Sequence, residues 1–184
     1  MKVILASQSP RRKELIELLH IKAKTIPSQI EEVIDPTLSH EENVMDLAYQ
    51  KAMDVFKSHK EDLVLGFDTL VILDKHIMGK PDNKEQAKTY LKQLSGRTHR
   101  VITGCAVIKK GYSTSFFSSA LVSFYPMDDQ EIDDYIATNE PFDKAGAYGI
   151  QGYGAKYIES IQGDYYAVVG FPVSKIYRVL KKIL

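Results

Sequence analysis

Apolar and polar positions along the chain alternate between two periods, and the changes of period mark the elements. Val3 to Ala6 is a short apolar run that reads as a strand, and it leads straight into the polar segment Ser7-Gln8-Ser9-Pro10. From Arg11 to His20 the pattern is that of an amphipathic helix with Leu15, Ile16, Leu18 and Leu19 as its apolar set. Ile21 to Ile26 reads as a strand, and Ser28 to Thr37 is a polar connection carrying Glu31, Glu32 and Asp35. Ser39-x-x-Glu42 is a capping box that opens a helix to about Phe56, with Val44, Leu47, Ala48 and Val55 as its stripe. Lys51 lies inside that stripe, between Leu47 and Val55.

Leu63 to Leu73 is the most apolar segment and reads as a central strand with a bend at Gly66, followed by a turn over Asp74 to His76. Asp82-x-x-Glu85 is a second capping box, for a helix that ends at Ser95-Gly96. Arg100 to Ile108 and Phe116 to Tyr125 read as strands joined through Lys110-Gly111, and Asp128 caps a helix to about Thr138. Pro141 to Gly154 is a glycine-rich loop. Two further strands are expected near Lys156 to Ile161 and Tyr165 to Val169, meeting at Gln162-Gly163-Asp164. Pro172 starts a last helix with Ile176, Val179, Leu180 and Ile183 on its buried side. Strands and helices alternate early and hairpins follow, which implies an α/β domain with a mixed sheet.

Composition narrows the setting. At 184 residues, 44% apolar and 26% charged, the chain is one ordinary globular domain, or one domain with two lobes, spanning 1–184. Lys plus Arg and Asp plus Glu are both 24, and a neutral chain without a dense basic run is not expected to bind nucleic acid. A single cysteine, Cys105, excludes an internal disulfide and suits a reducing compartment. No apolar run reaches the ~18 residues of a membrane span, and no signal peptide precedes the first strand. The expected location is therefore the cytoplasm.

Candidate chemistry begins at the first strand-to-helix junction. Ser9 can cap the helix, Pro10 suits its first position, and Arg11 and Arg12 fall in the first turn. Cations are disfavoured at a helix N-terminus, so two arginines there suit an anion such as phosphate, or else they are solvated on the surface. Asp68 stands among apolar neighbours on the face of Val64, Leu70 and Ile72, and a buried carboxylate needs a cation, a metal or strong donors. It is a general base or metal ligand in a cleft, or a structural carboxylate bonded to a loop. Lys51 either reaches past its apolar stripe to the rim or meets an anion. Lys80 projects from a strand-to-helix loop, where it can reach a phosphate or stay solvated. Glu31-Glu32 can supply metal oxygens together with Asp68, or be surface residues. The loop from Lys144 to Gly154 holds four of the chain's eleven glycines and Gln151, whose amide offers both a donor and an acceptor to a base edge. No phosphate-binding G-x-x-x-x-G-K-[ST], no H-E-x-x-H, no Cys/His cluster and no G-x-S-x-G occurs.

Taken together these segments resemble the Maf family of nucleoside triphosphate pyrophosphatases. The matching stretches are LASQSPRRKEL at 5–15, the Lys-Ala pair at 51–52, GFDT at 66–69, GKP at 79–81, LSGRTH at 94–99 and EPFDKAGAYGIQGYGA at 140–155. The resemblance implies an elongated α/β fold with a mixed sheet flanked by helices and two lobes around a central cleft, often as a homodimer. It also implies hydrolysis of a nucleoside triphosphate between its α and β phosphates, with a divalent metal (Mg, Mn or Co). Arg11, Thr69 and Gln151 follow the pattern of members similar to this chain that act on dTTP and UTP, with CTP and modified pyrimidine nucleotides as further candidates. The implied roles are Asp68 as catalytic base, Glu32 and Asp68 as metal contacts, Ser7, Arg12, Lys51 and Lys80 on the triphosphate, and Arg11, Thr69 and Gln151 on the base. Two departures stand out: Phe67 where the family usually has Ala, and Ala120-Leu121 where Thr-Glu is often found. Phe67 is expected to face away from Asp68. The alternative reading is a nucleotide-binding regulator of cell division with little turnover.

Overall fold

The computed structural model describes residues 1–184. Its elements are β1 (Val3–Ala6), α1 (Pro10–Glu17), β2 (Ala23–Thr25), α2 (His40–Phe56), β3 (Leu63–Leu73), β4 (His76–Met78) and α3 (Lys84–Leu94). They continue with β5 (Thr98–Lys109), β6 (Tyr112–Phe124), α4 (Asp129–Ala137), three short 3₁₀ turns between Glu140 and Tyr157, β7 (Ile158–Gly163), α5 (Tyr165–Val169) and α6 (Val173–Leu180). The strands form one seven-stranded mixed sheet in the order β2-β1-β3-β5-β6-β7, with β4 paired to β3. β1 runs parallel to both β2 and β3, whereas β4 is antiparallel to β3 and β7 antiparallel to β6. No helix is long and apolar enough to cross a membrane.

The chain divides into two compact units. The first holds Met1–Thr69, Thr103–Ser118 and Gly170–Leu184. Its core packs Ile4 and Ala6 of β1, Val64 of β3 and Ala106 and Ile108 of β5 against Ala48, Ala52 and Val55 of α2. The capping box of α2 forms as the pattern predicts: Ser39 accepts from Glu42 N, and the Glu42 carboxylate accepts from Ser39 N. Asn43, buried one turn later, accepts from Asp35 N and donates to the carbonyls of Asp35, Leu38 and Ser39, which fixes the chain leading into the helix.

The second unit holds Leu70–Ile102 and Ser119–Val169. Leu91 and Leu94 of α3, Ile132, Tyr135 and Ile136 of α4, and Val122 and Phe124 of β6 are among its buried core. Lys88–Asp133 and Lys92–Asp129 ion pairs cross from α3 to α4 on the surface.

Several expectations are corrected. α1 ends at Glu17, one turn early, because His20 turns the chain through a φ of 56°; Leu18 is therefore exposed, not buried. Asn83, not Asp82, caps α3, its side chain accepting from Gln86 N. Tyr165 to Val169 is a short helix, not a strand. Five apolar residues carry no distinguishing period, and Asp164 decides by accepting from Tyr166 N while Ala167 N bonds back to its carbonyl. His76, read as the end of a turn, opens the short strand β4, and Gly66 lies inside β3.

Candidate active site

The two faces of β3 present different chemistry, as strand alternation requires. Gly66 and Asp68 look towards α2. A Cβ at Gly66 would come 2.1 Å from the Ala48 carbonyl oxygen, and one at Gly104 would come 2.1 Å from that of Val44. Two glycines on neighbouring strands therefore let α2 rest directly on the sheet backbone. That approach lays Lys51 over Asp68: Lys51 Nζ is 2.6 Å from Asp68 Oδ1 and 2.8 Å from Glu32 Oε1. The Lys51 and Asp68 side chains are 12% and 7% exposed, so the ammonium is desolvated with its partner, while Glu32 at 57% reaches in from the surface.

Burial pushes the Asp68 carboxyl above the usual aspartate range, and the Lys51 charge pulls it part of the way back. The ion pair engages Oδ1 of the carboxylate. The buried acid and the buried lysine of the sequence are thus each other's partners.

Phe67 and Thr69 occupy the opposite face with Arg12. The Arg12 guanidinium lies 5.2 Å from the centre of the Phe67 ring, and Phe67 in turn packs on Phe171 at 5.0 Å. Phe67 does face away from Asp68, and the aromatic ring that departs from the family pattern serves as the shelf for a cation. Arg12 Nη1 donates to Ser7 Oγ at 3.0 Å, Nη2 to Thr69 Oγ1 at 3.2 Å and Nε to the Gly170 carbonyl at 2.9 Å. Burial lowers the guanidinium from its ordinary value, and the strongest opposing influence is the charge of Asp68. Ser7 also accepts from Ser9 N. Ser9 takes the N-cap position of α1, yet its side chain makes no capping bond, and no acidic residue lies in the first turn. The N-terminus of α1 thus keeps its anion-binding character, with Arg11 partly buried beside it.

Ser7, Arg12 and Thr69 are therefore joined in one hydrogen-bonded group, and Glu32, Lys51 and Asp68 in another. Lys80 and Gln151 belong to the second unit and are both exposed. The Gly79 carbonyl beside Lys80 accepts from Gly146 N at 3.0 Å, which ties that segment to the glycine-rich loop.

Sequence reasoning missed what organises this loop. Glu140 accepts from Tyr135 OH and from the backbone N–H groups of Tyr153 and Gly154, and Gly149 N donates to Tyr135 OH. A Cβ at Gly152 would come 2.0 Å from the Glu140 carboxylate, and one at Gly154 2.6 Å from Tyr135 Oη. These glycines make room for protein groups. Thr103, which lies 2.9 Å from Thr69 Oγ1, was missed as well; a polar residue within the apolar run from Val101 to Ile108 was the available signal.

The Glu32 and Asp68 carboxylates converge on one ammonium, so the same pair can share a cation. No group of three or more His, Cys, Asp or Glu side chains gathers to hold a metal. This donor set fits Mg²⁺, which takes one or two carboxylates and completes its shell with water and substrate phosphates.

A family model described as "Maf-like protein" matches residues 2–183. A dTTP/UTP pyrophosphatase of Bacillus cereus (strain ATCC 14579) is 48% identical over 98% of this chain and 95% of its own length. One of Bacillus anthracis (strain CDC 684) is 49% identical over the same shares. Among solved structures, a HAM1 protein from Coxiella burnetii is similar with a TM-score of 0.58 at 16% identity, covering 99% of both chains. The Staphylococcus aureus Ham1 protein is similar with a TM-score of 0.54 at 12% identity, again over 99% of both. At those identities the likeness is one of fold.

Proposed function

The chain belongs to the Maf family, and on that premise we propose that it hydrolyses nucleoside triphosphates to the monophosphate and pyrophosphate, with dTTP and UTP as principal substrates. The relatives reported above carry that activity in their names at nearly half identity over almost the full length. CTP and modified pyrimidine nucleotides are further candidates. The observation that carries the reading is the buried Asp68–Lys51 pair with Glu32 beside it: one carboxylate of raised basicity, a cation and a second carboxylate at one point.

In the proposed reaction Asp68 takes a proton from a water molecule as the water oxygen bonds to the α-phosphorus. The bond from that phosphorus to the bridging oxygen breaks, and pyrophosphate leaves with the electron pair. Such transfers need neutralised charge more than covalent help. Lys51 supplies a cation next to the base, and the uncapped N-terminus of α1 supplies backbone N–H groups. Ser7 already accepts two bonds, so its hydrogen is left to donate to a phosphate oxygen. A divalent cation on Glu32 and Asp68 supplies further neutralisation when bound. Arg12 reaches the substrate region through Ser7 and Thr69, and Arg11 and Thr69 are assigned to the base. Lys80 on the triphosphate and Gln151 on the base enter through the family pattern alone, as do a homodimeric assembly and a cytoplasmic setting.

The test is pyrophosphate release by the purified protein with Mg²⁺ or Mn²⁺ across the standard triphosphates. Release from dTTP and UTP is expected. Asp68→Asn keeps the shape of the side chain and removes the base, so kcat falls by about 10²- to 10⁴-fold while nucleotide still binds. Nucleotide binding without turnover in the unaltered protein would replace the enzyme with a regulatory binding module.

A further inference from the structure

The tip of the glycine-rich loop stands on one carboxylate. Glu140 Oε1 accepts from Tyr135 OH at 2.8 Å and from Gly154 N at 3.1 Å, and Oε2 accepts from Tyr153 N at 2.7 Å. Tyr135 OH in turn accepts from Gly149 N at 2.9 Å. The direction of every bond is fixed. A backbone N–H only donates, so the Tyr135 hydroxyl receives from Gly149 and gives its own hydrogen to Glu140, whose carboxylate only accepts. Gly149 at one end of the segment, and Tyr153 and Gly154 at the other, are thereby tied to the same acidic group. Ile150, Gln151 and Gly152 form an arch between these two feet.

The glycines let the chain pass this close. A Cβ at Gly149 would stand 2.9 Å from Glu140 Oε1, and one at Gly152 would fall closer still to Oε2. The anchor is itself held in place. Tyr135 lies on α4, is 1% exposed and packs its ring 5.6 Å from that of Tyr157. Glu140 N donates to Thr138 Oγ1, and the Thr138 hydroxyl donates to the Tyr135 carbonyl. The arch carries Gln151, which is exposed. A segment already fixed at both feet has less conformational freedom to lose on binding, so more of its contact with a ligand appears as affinity.

We infer that Glu140 is a positioning residue for base recognition: with Tyr135 it pins both feet of the 149–154 arch and so fixes the backbone from which the Gln151 amide meets the base. The inference rests on the reading of Gln151 as a base contact.

Glu140→Gln keeps the size of the side chain and turns one acceptor oxygen into an NH₂ donor, which faces a donor and leaves it unpaired. Calorimetry with Mg²⁺ gives dissociation constants for the α,β-methylene analogue of UTP and for inorganic pyrophosphate, which has no base. Their ratio reads the contribution of the nucleoside. In Glu140→Gln the preference for the nucleotide analogue is expected to fall about fivefold, the size of one net hydrogen bond, with pyrophosphate affinity unchanged within about twofold. The fall should vanish when Gln151→Ala is already present, because a residue that acts through Gln151 then has nothing to position. An unchanged ratio, an equal loss for both ligands, or the same fall in the Gln151→Ala background overturns the inference. Should Glu140→Gln not fold, Tyr135→Phe keeps the buried ring, frees the Gly149 foot and is held to the same outcomes. Gln151→Ala by itself separates the two layers: if it leaves the ratio unchanged, Gln151 does not meet the base and the inference falls with that assignment. The proposed activity is decided apart from this, by pyrophosphate release from the unaltered protein.

Discussion

Lys51 is held by two carboxylates from different parts of the chain, one nearly buried and one mostly exposed, and the burial decides which of them matters to stability. An exposed ion pair such as that with Glu32 contributes little, because water and salt screen it. The pair with Asp68 is different, since removing Lys51 leaves the Asp68 carboxylate desolvated without the ammonium that it faces. Lys51→Met is therefore expected to destabilise the protein by about 3 kcal/mol, read as a fall in the urea midpoint at unchanged slope. Adding Asp68→Asn to that variant should restore part of the loss. If the double variant is no more stable than Lys51→Met, the burial of an uncompensated carboxylate is not the cause. At this scale the sequence was informative but one-sided. Asp68 and Lys51 each stood out as charges in apolar surroundings, and nothing in their spacing said that they meet. Arg12 was legible as a first-turn cation suited to an anion, but three of its donors are directed to Ser7, Thr69 and the Gly170 carbonyl.

The elements set those contacts through the distance at which α2 rests on the sheet. Gly66 and Gly104 have no side chain to hold the helix off, and the carbonyls of Ala48 and Val44 occupy the space a Cβ would need. Both backbones are too constrained to yield cheaply, so Gly66→Ala is expected to cost about 1–3 kcal/mol or more through overpacking. It should also lower kcat, because the helix that shifts carries Lys51; a lowered melting temperature with kcat unchanged would show that the base tolerates the shift. The glycine of GFDT was visible in the sequence as a bend in a strand, but its close contact with α2 was not. The helix starts fared better. Ser39 forms the capping box read from its spacing, and Asp128, read as a cap, closes a box with Glu131 as well, because such a cap closes within one turn. Asp82 failed as a cap because Asn83, one residue on, offers a competing acceptor, and spacing alone does not choose between them.

For the whole molecule, a buried histidine makes stability depend on pH. His99 is 2% exposed, with Nε2 2.7 Å from Tyr148 OH and Nδ1 without a partner. Burial lowers its pKa to about 4. The unfolded chain, where histidine titrates near 6.5, takes up the proton first, so this contribution is fully present above about pH 6.5 and is lost as the pH falls towards 4. The loss approaches about 3 kcal/mol, and His99→Asn should flatten the decline between pH 7 and 4.5 in urea titrations. An equally steep decline in that variant would show that His99 is not its source, and carboxylates such as Asp35 and Asp54, whose pKa values hydrogen bonds hold low, add their loss only at lower pH, below the ordinary aspartate range. Taken alone, the chain's pattern determined the α/β class, most strands and helices, and the family to which its motifs belong, because alternation, helical period and caps act over a few residues. The tertiary structure decided the partners. Arg12 meets Thr69 and Gly170 across separations of 57 and 158 residues, and Lys51 meets Asp68 across 17, between elements each of which reads correctly without the other. Local pattern states that a charge will be buried. Only the packing of one element on another determines which group compensates it.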